Sequence, residues 1–202
     1  MPENQVPPRE TASSIWKEFA LWEGREFPNN DTPLPIDPAY PLFGQTVQAF
    51  DSGSLDLAAM GCRAAVEAIG YTFMSRRPTR LYEWQNSAPK GADGRPRRVD
   101  FPEVAEFIKN NTALDSDLID ALDRIKFAGD ATAHVASRLE EEVETILNNR
   151  RRRPGGPTDP LQLWMRPDDV RKNLVDAVEI LKAVLLAARQ ERDRWQPGTK
   201  PV

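Results

Sequence analysis

An all-α fold is predicted by three features of the sequence. Apolar residues recur at three- and four-residue spacing along most of the chain, no segment alternates apolar and polar residues as a half-exposed strand would, and breaker-rich clusters separate the periodic runs. At 202 residues, 40% hydrophobic and 29% charged, the chain can form one core of ordinary size and is too apolar to stay disordered. Twenty-seven Lys and Arg against 31 Asp and Glu leave a net charge of -4, so any basic character is local. One cysteine, Cys62, excludes an intrachain disulfide, and one histidine, His134, excludes a Cys/His zinc site, so no cofactor is expected. The opening residues lack a basic and apolar leader pattern, and no run approaches the roughly eighteen apolar residues of a membrane span. A cytoplasmic protein with no membrane partner is the expectation.

Eight of the 18 prolines fall within residues 1–44, which predicts a Pro-rich arm. Within it, Ile15, Trp16, Phe19 and Trp22 mark one short helix, which Ser13 or Ser14 would cap and Gly24 would end. Residues 28–41 read as an extended strap pinned to the body by Leu34, Ile36, Tyr40, Leu42 and Phe43. The bundle domain is expected over 45–195, followed by a tail at 196–202. Val47 and Phe50 belong to a first helix, and Asp51-Ser52-Gly53-Ser54 breaks it from a long central helix at about 55–75. On that helix Leu57, Met60, Ala64 and Phe73 read as one apolar face, widened by Ala58, Ala65, Val66 and Ile69. Residues 76–98 hold seven Lys and Arg and two acids among prolines and glycines, which makes a basic loop. Pro102 suits the first turn of a helix carrying Val104, Phe107 and Ile108, and Asp115 or Ser116 can start the next, with Leu118, Leu122 and Ile125 on one face. Gly129 reads as a left-handed turn ending that helix, with Asp130 capping another that bears Val135, Leu139, Val143 and Ile146. A second basic loop begins at Arg150. The last helix, from Pro167 to about Trp195, carries a seam of Val170, Leu174, Ala177, Leu181, Val184 and Ala188.

Three stretches taken in order resemble a known family: Ala58 to Ile69, Leu118 to His134, and the seam helix. They are similar to the bacterial domain-of-unknown-function family 4145, in which an Arg and a Glu four apart precede a turn of the form basic residue, Gly, Asn, two residues, Ala, His. Here Arg63, Glu67, Lys126, Gly129, Asp130 and His134 stand at those positions, with Asp130 in place of the usual Asn and Lys126 where Arg is more common. The resemblance implies a HEPN-like helical bundle (higher eukaryotes and prokaryotes nucleotide-binding). It also implies a homodimer, and a setting in phage defence or toxin–antitoxin systems. Many HEPN bundles are metal-independent ribonucleases whose signature is an Arg, four to six residues, then His. Residues 127–129, at the spacings that Arg would occupy before His134, are Phe, Ala and Gly.

On a ribonuclease reading His134 moves the proton, since its unperturbed pKa alone permits transfer in both directions near neutral pH. Asp130, His134 and Arg138 fall at successive i,i+4 steps, so an acid would orient the imidazole while Arg138 or Lys126 meets phosphate. On the competing reading Asp130 caps a helix, His134 is a packed structural residue, and Arg63, Glu67 and Gly129 clamp helices together. The missing Arg favours this second reading, a non-catalytic dimerisation or interaction module. Arg76, Arg77, Arg80, Trp84, Arg97 and Arg98 in the first basic loop, and Arg150, Arg151, Arg152 and Arg153 in the second, are the residues for contacting RNA or an acidic protein partner.

Overall fold

The structure, a computed structural model, describes residues 11–34, 38–76, 99–131 and 166–194. It is an all-α helical bundle, and the described residues contain no strand. The helices are α1 (Ala12–Glu26), α2 (Ala39–Asp51), α3 (Leu55–Ser75), α4 (Phe101–Asn111), α5 (116–131) and α6 (Pro167–Arg194), with a 3-10 turn at Pro28–Asn30 after α1. Central to the bundle is α3, which packs against α2, α4 and α6, while α1 lies across α2 and α6.

Several boundaries follow the local chemistry of the sequence. Between α2 and α3, Gly53 adopts a left-handed φ of 82°. The Ser54 N–H donates to the Ala49 carbonyl (2.8 Å) and the Gly53 N–H to that of Phe50 (2.9 Å), a pattern that satisfies the last carbonyls of α2. Gly53→Ala is therefore expected to lower stability by about 1 kcal/mol, read as a shift in denaturation midpoint, because a Cβ disfavours that backbone region. At the start of α4, Asp100 and Glu103 form a reciprocal capping box with Pro102 in the first turn. Asp115 accepts from the Leu118 N–H (2.9 Å) and opens α5. The last helix runs over 28 residues, close to its expected span.

Other boundaries depart from the sequence reading, each for a reason in the packing. Helix α2 begins at Ala39, inside the segment read as an extended strap, because Pro41 falls in its first turn, where no intrahelical N–H bond is lost. Helix α1 continues through the exposed Gly24 to Glu26, and neither Ser13 nor Ser14 is its cap. Asp51, at the far end of α2, does that work: its carboxylate accepts from the Ala12 N–H (2.8 Å), the Ser13 N–H (3.3 Å) and the Ser13 hydroxyl (2.6 Å). Gly129 is not a turn. Helix α5 passes through Gly129, Asp130 and Ala131 without a break, and Gly129 has no left-handed φ.

The core is one continuous cluster that includes Ala12, Ile15, Phe19, Phe27 and Leu34 from the arm, so these residues are bound to the body. Trp16 stacks on Phe43 (5.1 Å) and Phe19 on Trp22 (5.7 Å), with Tyr40 set edge-on against both Trp16 and Phe19. Arg189 reaches from α6 to Glu26 (3.2 Å), and Arg192 to Asp31 (2.8 Å). On α3 Ala58, Ala65, Val66, Ile69 and Phe73 are among the buried residues, whereas Leu57 and Met60 are exposed, reversing their expected role. The seam of α6 is buried throughout, from Val170 to Ala188, against this chain's own helices. The seam is therefore not a free surface for a second copy.

Candidate functional site

The family-like residues meet where α5 crosses α3. Helix α5 turns Ala121, Leu122, Ile125 and Ala128 into the core, a three-four stripe that fixes its rotation. That rotation sets Gly129 against the stem of Arg63. A Cβ built on Gly129 would lie 2.7 Å from the Arg63 Cβ and 2.6 Å from its Cδ, so only a glycine permits the helices to approach this closely.

Beyond that contact, the Arg63 guanidinium closes on Asp130, with Nη1 3.2 Å from one carboxylate oxygen. The second oxygen accepts from the Lys126 ammonium at 2.8 Å, one turn back on α5. Glu67 stands 4.0 Å from Arg63 Nη2, and the guanidinium also lies over the Phe101 ring at 5.6 Å. These four charged side chains are between 24% and 37% exposed, which is partial shelter: enough to strengthen the pairs, and too little to impose a large desolvation cost. Arg63 thus pins α3 to α5 by its stem on Gly129 and by its head on Asp130.

The expected structural motif of Arg63, Glu67 and Gly129 is thereby brought together, and Lys126 and Asp130, weighed for catalysis, join it. His134 and Arg138 lie outside the described residues. So do Arg77, Arg80, Trp84, Arg97 and Arg98, and Arg150, Arg151, Arg152 and Arg153. Arg76 is described, exposed at the C-terminal end of α3. Cys62 is fully buried beside Arg63 in sequence, and burial pushes its thiol pKa up to about 12, so the neighbouring cation does not activate it.

Two further features had no local signal in the sequence. Asp176 on α6, almost buried, accepts from Arg124 of α5 (2.7 Å) and pairs with Lys172 (3.0 Å), tying α5 to α6 across 52 residues of sequence. Between α4 and α5 an open groove of about 460 Å³ is lined by Pro102, Ala105, Glu106, Lys109, Asp123, Lys126 and Phe127. Its two lysines face two carboxylates, which leaves it without a net field for an anion, and Phe127 stands 76% exposed at its edge. Among the described residues, no three metal-binding side chains converge and no helix is long and apolar enough to cross a membrane.

No family model, curated protein or solved structure matches the chain.

Proposed function

We propose that this chain is a non-catalytic helical interaction module, related to family 4145 and the HEPN bundles, that self-associates and serves a bacterial defence or toxin–antitoxin type system in the cytoplasm. RNA or an acidic protein surface is what its basic loops would contact. The observation that carries this reading is the state of Asp130. Its two oxygens hold Arg63 and Lys126 in a contact that fixes α5 on α3, a structural role that the module reading requires and the ribonuclease reading does not. Lys126, a candidate for meeting phosphate, is engaged in the same contact. The absence of an arginine at the signature spacing before His134 supports the same conclusion.

A cleavage assay separates module from enzyme. Purified protein incubated with single-stranded RNA in EDTA is expected to leave it intact. Metal-independent cleavage giving cyclic phosphate ends, reduced roughly a hundredfold or more by His134→Ala at an unchanged melting temperature, would replace the module reading with a ribonuclease.

A further inference from the structure

Two arginines in the last two turns of α6 hold the segment that leaves α1. The Arg189 guanidinium donates through Nη1 to both the main-chain carbonyl (3.3 Å) and the carboxylate (3.2 Å) of Glu26, the last residue of α1, and lies over the Phe27 ring at 5.4 Å. Arg192 repeats the grip one turn on, where its Nη1 donates to the carbonyl (3.2 Å) and the carboxylate (2.8 Å) of Asp31. The two grips span 163 and 161 residues of sequence, so they join the start of the described chain to its end.

Between the grips the chain turns through Pro28–Asn30, where Asn29 takes a left-handed φ of 63°, a conformation that persists where its flanks are held. Phe27 and Leu34 anchor the segment, both buried. Fraying of the α6 end would carry Arg189 off the Phe27 ring, and release of the segment would free the Nη1 donor of each arginine, so opening on one side favours opening on the other. Further back along α6 this coupling stops: Lys182 lies over Trp22 at 5.6 Å, but its ammonium bonds Glu179 of its own helix (2.6 Å). The charged groups of the grips are within reach of solvent ions, Asp31 at 69% exposure and Glu26, Arg189 and Arg192 at 34–38%, so salt screens their attraction.

We infer that residues 26–34 and the last two turns of α6 form an ionic clasp, a unit that opens and closes together, apart from the core helices, and opens more readily as ionic strength rises. The clasp is a conformational device of the fold and is independent of the module reading.

Amide hydrogen exchange followed by NMR on the full chain tests it. The Phe27 N–H, bonded to the Glu23 carbonyl (2.8 Å), reports on the segment, and the helical amides of residues 188–192 report on α6. Raising NaCl from about 0.1 to about 1 M shortens the screening length from about 10 to about 3 Å. Protection is expected to fall at both reporters by the same factor, about threefold or more, while α3, α4 and the first half of α6 keep theirs. Arg192→Gln should lower both reporters at low salt and weaken their salt response, and the charge-reversed pair of Asp31→Arg with Arg192→Asp should regain protection over Arg192→Gln. Loss confined to the α6 amides would be simple fraying and would overturn the clasp. An equal loss in α3 and α4 would overturn the separate unit, and a salt response unchanged in Arg192→Gln would overturn its ionic basis.

Discussion

Phe19→Ala is expected to lower the unfolding free energy by about 3–5 kcal/mol, the usual loss for removing a fully buried aromatic ring. Phe19 belongs to the Pro-rich arm, yet it is completely buried, stacked on Trp16 and Trp22 and edge-on to Tyr40 of α2. The cavity would open between α1 and α2, next to the stack of Trp16 on Phe43, so the loss should reach the whole cooperative transition. Urea titration followed by circular dichroism measures it, with Leu21→Ala on the exposed side of the same helix as the control, expected within about 0.5 kcal/mol of wild type. A Phe19→Ala protein whose midpoint matches wild type would mean that the arm folds apart from the body.

Gly129→Ala should cost about 1–3 kcal/mol, against the intrinsic helix preference, which alone would favour alanine by about 1 kcal/mol. The opposing effect is overpacking: the new methyl would meet the Arg63 Cβ, which is fixed by the α3 backbone, as well as the more mobile Cδ. Packing and backbone explanations differ in their dependence on Arg63. In an Arg63→Ala background, where Cγ and Cδ are absent, the cost of Gly129→Ala should shrink measurably in the same urea titration. Additive effects of the two substitutions would show that the Arg63 Cγ and Cδ contribute nothing to the cost.

That glycine also shows where the sequence could be read and where it could not. The Asp-Ser-Gly-Ser break, the proline and aspartate at the start of α4, Asp115 before α5 and the long stripe of α6 are local signals, each settled within a turn or two of helix. Gly24 and Gly129 resemble stop signals equally well, but a glycine inside a helix costs only about 1 kcal/mol, and tertiary contacts outweigh that. At Gly129 the deciding partner, Arg63, is 66 residues away in sequence. The cap of α1 is similarly remote: Asp51 has no local pattern linking it to Ala12, whereas Ser13 and Ser14 are adjacent and look sufficient. On α3 the period of the apolar residues was plain, but apolar residues surround most of the helix, so period alone did not decide which side faces the core. The small residues Ala58, Ala65 and Gly70 take the inside because neighbouring helices approach there, and the larger Leu57 and Met60 are left outside. For the site, the pairing of Arg63 with Glu67 was visible as an i,i+4 spacing, yet the stronger partner is Asp130, brought in by the crossing of α5.

The central claim is that Asp130 is a clamp residue joined to Arg63, and a double-mutant cycle on that pair tests it most directly. Arg63→Met retains a stem of similar length against Gly129 while removing the charge, and Asp130→Asn keeps the shape of the acid. Unfolding free energies of wild type, both single variants and the double variant should give a coupling energy of about 0.5–1 kcal/mol, as expected for a partly sheltered ion pair. A coupling energy of zero, with Asp130→Asn as stable as wild type, would show that Asp130 does not hold α5 on α3.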